Sequence, residues 1–252
     1  MKLILAFIIF IFSSIILNAQ QIKVKYKYVR SPIVTIYENL YINKKGNVIS
    51  IQDSLISNSR NSNNLNPNGS ANLESKALYF ISDLNIITQK DFVYLDIIGE
   101  NTYFVYDQNV PRPNWKIDYK NSKTFAGFLC YKAEAVFRGS KIIAYFSKEI
   151  PYSSGPYKFF GLPGLILDVR VEGKDYDLWK VESVDLDNKE QINFKPKLNQ
   201  YNKIQMKDFV NLKDEDGAKF QKKLQKVTPM GSTRTSIVPS NRFGVETKYE
   251  WE

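Results

Sequence analysis

The chain of 252 residues contains no histidine and only one cysteine, Cys130. Serine triads and most zinc sites lose an essential residue without histidine, so we expect neither a metal site nor a cofactor. A lone cysteine cannot form an intramolecular disulfide, and core packing alone must stabilise the fold. Cys130 lies in an apolar run and is predicted to be a small buried hydrophobe. A reactive thiol or an intermolecular disulfide is the less favoured alternative.

Long apolar runs are confined to the N-terminus of the chain. Lys2 precedes the apolar stretch Leu3–Phe12, and a small residue, Ala19, precedes a polar segment. This arrangement is typical of a secretory signal. We predict that residues 1–19 are a signal peptide cleaved near Ala19, and that residues 20–252 form a single domain. A membrane anchor is the alternative, because the stretch approaches the roughly 18 residues that span a bilayer.

No cysteine lies near the predicted cleavage point, so a lipid anchor on the new N-terminus is not expected. The predicted location is the periplasm or the medium, with no transmembrane segment after signal removal. The formal net charge of +9 favours encounters with acidic surfaces. The predicted partner is an envelope protein, a peptide or a lipid, and export disfavours nucleic acid.

Apolar and polar residues alternate along most of the remaining chain. In Ile22–Tyr28, apolar and aromatic residues would occupy one face of a strand and three lysines the other. The same pattern predicts further strands, at Ile36–Ile42, Val48–Ile51, Leu78–Ile81, Asp91–Ile98, Tyr103–Tyr106, Phe128–Phe137, Lys141–Phe146, Leu165–Val171 and Tyr176–Val184. The fold class predicted is mainly β: a curved antiparallel sheet or half-barrel with one or two packed helices.

Two segments depart from the strand pattern. Residues 57–75 are rich in Asn and Ser, which predicts a flexible polar loop, with a lid over a ligand as the alternative. Asp214–Val227 is predicted to be a helix, with Phe220, Leu224 and Val227 on the face toward the sheet.

A series of short motifs runs from Trp115 to Val184. It consists of Trp115–Ile117, Gly127–Ala133, Phe137–Gly139, Glu149–Pro151, Gly155–Phe159 and Gly161–Ile166. Their order and spacing closely resemble the GLPGLI family of exported proteins from Gram-negative bacteria. Ser140 and Tyr145 depart from the family's usual residues, although both suit a strand.

The GLPGLI resemblance implies an envelope location and a β-rich fold. The resemblance assigns no catalytic residue to this chain, because the family has no established function. The rhythm of strands is also similar to LolA-like half-barrels, which is an analogy of fold alone.

The proline and glycine residues of the last two motifs predict a sharp corner in the chain. The residues of this structural motif are Gly155, Pro156, Gly161, Leu162, Pro163, Gly164, Leu165 and Ile166. Pro163 and Gly164 suit the central positions of a type II turn, and Gly161 allows close backbone approach. The corner would deliver Phe159 and Phe160 into the core, and Gly164→Val is expected to destabilise folding strongly. A binding loop is the alternative.

Four residues are candidates for ligand binding: Arg138, Tyr157, Phe159 and Phe160. Arg138 falls in a predicted hairpin turn, where its guanidinium could bind a carboxylate or phosphate. The alternative is an exposed turn cation without a role.

Acidic residues cluster around the next predicted hairpin, at Asp168, Asp175, Asp177 and Glu182. Paired carboxylates can hydrolyse glycosides, but only at a suitable separation. Strand alternation places Asp168 on the face opposite Leu165 and Leu167, so we expect it to be exposed. We therefore assign no catalytic residue and expect a binding protein rather than an enzyme. A carboxylate-dependent hydrolase or modifying enzyme, and a structural accessory of an outer-membrane transport receptor, are the alternatives.

Overall fold

The computed structural model describes residues 21–32, 34–57, 78–83, 89–196, 200–227, 242 and 244–252. The predicted signal peptide and residues 58–75 of the predicted polar loop lie outside these ranges. The mainly β fold class is confirmed, since a single sheet dominates and one helix occurs in the described part of the chain.

The sheet has twelve strands. They are β1 (Gln21–Ser31), β2 (Val34–Asn43), β3 (Asn47–Ser57), β4 (Leu78–Asp83), β5 (Gln89–Ile98), β6 (Asn101–Pro111), β7 (Lys116–Phe125), β8 (Phe128–Phe137), β9 (Ser140–Ser147), β10 (Leu165–Val171), β11 (Leu178–Asn188) and β12 (Asn202–Gln205). The helix α1 follows immediately, at Met206–Val227.

Two antiparallel meanders make up the sheet, in the order β12-β6-β5-β4-β3-β2-β1-β11-β10-β9-β8-β7. The first meander comprises β1 to β6 and the second β7 to β11. Antiparallel pairing of β1 with β11 joins them, with Val24 opposite Val184 and Tyr28 opposite Trp179. The sheet is open, because β12 and β7 are its two edges.

The predicted alternation holds along β1. Val24 and Tyr26 are fully buried, whereas Lys27 is exposed. Sequence alternation failed at β10, where the prediction that Asp168 is exposed is wrong: its exposure is 0%. The pairing of β10 with β9 shifts register between Ile166 and Asp168, and an irregularity of this kind breaks the period of two.

The corner segment, residues 148–164 between β9 and β10, brings Phe159 and Phe160 into the main core. The predicted type II turn is wrong: Gly164 has a φ of 154°, far from the value near +80° that this turn requires. Glycine is needed there because a Cβ would lie 2.1 Å from the carbonyl oxygen of Ser147.

Helix α1 begins eight residues before the predicted start at Asp214. Its first turns carry Met206, Phe209 and Val210 at positions i, i+3 and i+4, and these side chains are buried against β5 and β6. This contact explains the early start. The side chains of Phe220, Leu224 and Val227, which were predicted to face the sheet, lie outside the described residues.

Two strands were not predicted. β7 is an edge strand with almost every side chain exposed, so it shows no apolar alternation. β12 has four residues and pairs in parallel with β6, an exception to the predicted antiparallel sheet.

The main core lies between the sheet and the corner segment that connects β9 to β10. Cys130 is one of its buried members, as predicted. Burial raises the pKa of its thiol to about 12, so the thiolate needed for reactivity is disfavoured.

Candidate functional site

A cleft of about 740 Å³ opens between the two meanders, helix α1 and the C-terminal segment 244–252. Its walls come from β1, β2, β3, β5, β11, the corner segment and the β10–β11 turn. Seven aromatic side chains line it: Tyr28, Tyr94, Tyr157, Tyr176, Trp179, Phe209 and Tyr249. Its size is within the range of small-molecule sites.

Three of these aromatic rings form a stack on one wall. The Tyr28 and Trp179 rings are parallel within 5°, with centroids 4.0 Å apart, and Tyr157 stacks on Trp179 at 5.6 Å. Tyr28 and Trp179 are directly opposite each other on β1 and β11, the arrangement in which cross-strand aromatic pairs form.

A buried carboxylate, Glu38 on β2, supports this stack from behind. Its Oε2 accepts a hydrogen bond from the Trp179 indole at 2.8 Å, and its Oε1 accepts one from the backbone N–H of Tyr157 at 2.7 Å. The Ser50 hydroxyl and the Gln52 amide donate to the same carboxylate. In the described part of the chain no cation pairs with Glu38, so neutral donors alone satisfy it.

A second group of buried charges lies behind another wall of the cleft. It comprises Asp107 on β6, Arg138 in the β8–β9 turn, Lys158 in the corner segment and Glu246 in the C-terminal segment. Arg138 contacts Asp107 through both terminal nitrogens, at 2.6 and 2.9 Å, and Lys158 reaches Asp107 at 2.6 Å. Glu246 accepts from Arg138 and Lys158 at 2.5 and 2.9 Å. We call these four residues the charge cluster.

The charge cluster changes the pKa values of Asp107 and Arg138. Burial alone would raise the pKa of Asp107, but the charges of Lys158 and Arg138 outweigh it and lower that pKa. Burial works against the charged form of Arg138, yet hydrogen bonds and attraction from Asp107 and Glu246 raise its pKa. The charged forms of Asp107 and Arg138 are therefore favoured by their neighbours in the charge cluster.

The charge cluster fastens the C-terminal segment to the sheet. The Tyr157 hydroxyl donates to Glu246 at 2.6 Å, and the backbone N–H groups of Thr247 and Lys248 donate to the carbonyl of Arg138. Since Gly244, Val245, Glu246 and Tyr249 line the cleft, this attachment builds one of its walls.

Arg138 is therefore not an exposed turn cation: its side chain is 2% exposed. It forms the two-residue β8–β9 hairpin turn with Gly139, and their φ values of 43° and 87° are both positive, as a type I′ turn requires. The carboxylates that its guanidinium binds in the structure belong to the protein itself, at Asp107 and Glu246.

Of the four predicted ligand-binding residues, only Tyr157 lines the cleft. Phe159 and Phe160 lie beneath it, beside a separate cavity of about 10 Å³, which has room for one water-sized molecule. Arg138 lies behind the wall. The structure thus places one of these residues at the cleft and the other three in supporting positions.

The four acidic residues of the predicted hairpin do not converge. Only Asp177 lines the cleft. Asp168 is buried in β10 and binds Arg170 at 2.6 Å, and Glu182 pairs with Lys25 on the sheet surface. Burial raises the pKa of Asp168 in spite of Arg170, which fits a structural position within the sheet.

Sequence reasoning missed Glu38, Asp107, Lys158, Trp179 and Glu246. Glu38 and Asp107 occur in strands without any motif. Trp179 is 141 residues from Glu38, and Arg138 is 31 residues from Asp107. Lys158 was within the recognised Gly155–Phe159 motif, and a lysine among buried aromatic residues was the one signal that could have pointed to a charge cluster.

Within the described ranges, no three acidic or cysteine side chains come together as metal ligands. In the same ranges, no helix is sufficiently long and apolar to cross a bilayer.

Residues 134–168 match a family described as "Protein of unknown function (Porph_ging)". The matched segment runs from β8 into β10 and contains the charge-cluster residues Arg138 and Lys158 together with the hexapeptide Gly161–Ile166. The match is consistent with the GLPGLI resemblance and covers a short region of the chain. No curated protein matches the chain.

Among solved structures, PNGF-II resembles this chain in two crystal forms. The P21 form gives a TM-score of 0.49 at 11% identity, covering 77% of this chain and 33% of PNGF-II. The C2 form gives 0.47 at 12% identity, covering 77% and 32%. This chain thus spans about a third of the length of PNGF-II, and with TM-scores below 0.5 the likeness indicates neither an activity nor a substrate.

Proposed function

We propose that this protein is an exported binding protein of the cell envelope, and that the aromatic cleft holds its ligand. The observation that carries the proposal is the cleft itself, which brings seven aromatic side chains from seven different elements of the chain around one cavity of about 740 Å³. Concave sites with aromatic walls and a few placed polar groups are the usual form of ligand sites.

Rigid support behind the walls agrees with a binding role. Glu38 fixes the Trp179 ring and the Tyr157 backbone, and the charge cluster fixes the C-terminal segment. Both supports use buried charged groups, which are costly to bury and need all their partners. Walls held in this way are preorganised, and preorganisation reduces the entropy lost on binding.

Binding is favoured over hydrolysis because the acids at the cleft are engaged. Asp96 pairs with Lys213 at 3.0 Å, and Asp177 pairs with Lys174 at 3.0 Å. Glu246 belongs to the charge cluster. A carboxylate that is already paired with a cation of the protein is poorly placed to act on a bound substrate.

Native mass spectrometry of the protein purified gently from its native host tests this proposal. We expect a bound molecule on the wild type. Ser31 lines the cleft at the end of β1, and Ser31→Trp should place an indole in the cavity and reduce the bound fraction. Ser183→Trp on the exposed surface of β11 is the matched control and should retain the ligand.

Wild-type protein that carries no molecule and captures no envelope partner would contradict the proposal. Equal loss of ligand in Ser31→Trp and Ser183→Trp would place the binding site outside the cleft.

A further inference from the structure

The charged groups at the cleft divide into paired and unpaired. Lys213 and Asp96 neutralise each other, Asp177 is paired with Lys174, and Glu246 is held by the charge cluster. Each of these charges is satisfied within the protein, so none calls for a charge on a ligand.

Arg30 is the exception. It lines the cleft and is exposed, and no described residue forms an ion pair or a side-chain hydrogen bond with it. Among the described residues it is the one charged group at the cleft without a partner. An arginine offers up to five N–H donors in a planar fork that matches a carboxylate or phosphate.

The position of Arg30 places this fork beside the aromatic stack. Arg30 follows Tyr28 by two positions on β1, and both side chains line the cleft. Burial raises the pKa of the Tyr28 hydroxyl, and the charge of Arg30 opposes that rise, which agrees with their proximity. A molecule lying along the exposed part of the stack can therefore present an acidic group to Arg30.

We propose that the cleft binds a small organic acid, with a flat apolar or aromatic body against the Tyr28–Trp179–Tyr157 stack and a carboxylate or phosphate paired with Arg30. This inference rests on the proposed function and names the chemistry of its ligand. The excess of cations over the whole chain favours the approach of an anion.

The cleft suits a free small molecule better than a lipid in a membrane. Its volume is typical of small-molecule sites, and tyrosine side chains and ion pairs interrupt its apolar surface. An acyl chain would displace water from the partly exposed Lys213–Asp96 pair and offer it no polar contact in return, which is unfavourable. A compact ring with one acidic substituent can contact the aromatic stack with its ring and pair with Arg30 through its acidic group.

A matched pair of probes tests the acidic group. Calorimetric titration would compare indoleacetate with its neutral alcohol, tryptophol, on the full mature protein. We expect the acid to bind about tenfold more tightly or better, the effect of one charge-assisted hydrogen-bonded pair. Arg30→Gln should bring the two affinities within about twofold of each other. Lys27→Gln, which removes the same charge from the outward face of β1, should keep the preference.

Two further probes distinguish a soluble acid from a lipid headgroup as the source of the anion. Phenyl phosphate should show the same dependence on Arg30 as indoleacetate if the site accepts either group. Vesicles of phosphatidylglycerol should bind wild type and Arg30→Gln equally. Arg30-dependent binding to vesicles without binding of the soluble acids would overturn the proposal in favour of a lipid headgroup.

Two other outcomes would also overturn it. Tryptophol binding as tightly as indoleacetate would show that the cleft ignores charge, and the protein would remain a binding protein for a neutral ligand. No binding of either probe would remove the small-acid class, while the copurification experiment decides separately whether the cleft holds any ligand.

Discussion

The two buried acidic sites behind the cleft walls solve the same problem in different ways. Glu38 is satisfied by an indole, an amide, a hydroxyl and a backbone N–H, all of them neutral. Asp107 and Glu246 are instead satisfied by two cations, Arg138 and Lys158. Neutral donors from two strands and the corner segment hold one aromatic wall in place, whereas opposite charges hold a terminal segment against the sheet.

Each of the two walls therefore depends on a different kind of interaction. Loss of one cation from the charge cluster leaves a buried anion without full compensation, a severe defect. Loss of the charge at Glu38 leaves some of its neutral donors without an acceptor, which costs less free energy of unfolding. Substitutions at the two sites should therefore differ in their cost to stability.

Arg138→Met should cause the largest loss. It leaves Asp107 and Glu246 with Lys158 alone, and breaking a buried ion pair costs about 3–5 kcal/mol. For a domain of this size we expect a fall in Tm of roughly 6–20 °C. Calorimetry would measure it. Lys141→Met, which removes an exposed cation paired with Glu172 at 3.6 Å, is the control and should cost less than about 1 kcal/mol.

Glu38→Gln should have an intermediate effect. The amide keeps one acceptor oxygen but turns an NH₂ group toward two of the four donors, at a cost of about 1–3 kcal/mol. Urea denaturation would measure the loss, and near-ultraviolet circular dichroism would show whether the environment of Trp179 changes. A loss larger than that of Arg138→Met would invert the comparison.

Acid should weaken the charge cluster through Asp107. Its folded-state pKa lies below 3.8, so the folded state binds its proton less tightly than the unfolded state. The stability that it contributes is present above about pH 4 and is lost as the pH falls through the folded pKa. In urea denaturation, Asp107→Asn should be less stable than wild type at pH 7, and the gap should narrow below pH 4. A gap that stays constant down to pH 3 would contradict this assignment.

Asp168→Asn should have the smallest effect. Burial raises the pKa of Asp168, and its partner Arg170 is 40% exposed, so removal of the buried charge offsets much of the lost pairing. We expect stability within about 1 kcal/mol of wild type at pH 7. A raised folded pKa adds stability as the pH falls, so the stability of the wild type relative to Asp168→Asn should increase in acid. This pH dependence has the opposite sign to the one expected at Asp107. Calorimetry at pH 7 and pH 4 would detect the difference.

Much of the sheet could be predicted from local pattern, because alternation reports one buried and one exposed face. Prediction from alternation failed where a strand does not have one buried and one exposed face. β7 is exposed on both faces, and Asp168 follows a register shift in a strand buried on both faces. Helix α1 was predicted eight residues short, because its buried residues are concentrated in its first turns.

Less of the cleft could be predicted. Tyr157 was recognised through its motif, but the partners that make it part of a wall, Trp179 and Glu246, are 22 and 89 residues farther along the chain. The short residue spacings that identify helices, strands and turns carry no information about contacts over such separations.

Most of the strands and the hairpin at Arg138 follow from local sequence, because backbone geometry and the burial of neighbouring residues act locally. The cleft depends on long-range packing, since pairing of β1 with β11 brings Tyr28 against Trp179, and the charge cluster brings Glu246 against Tyr157. These contacts join residues 89 to 151 positions apart, and their energies exist only after the sheet has assembled.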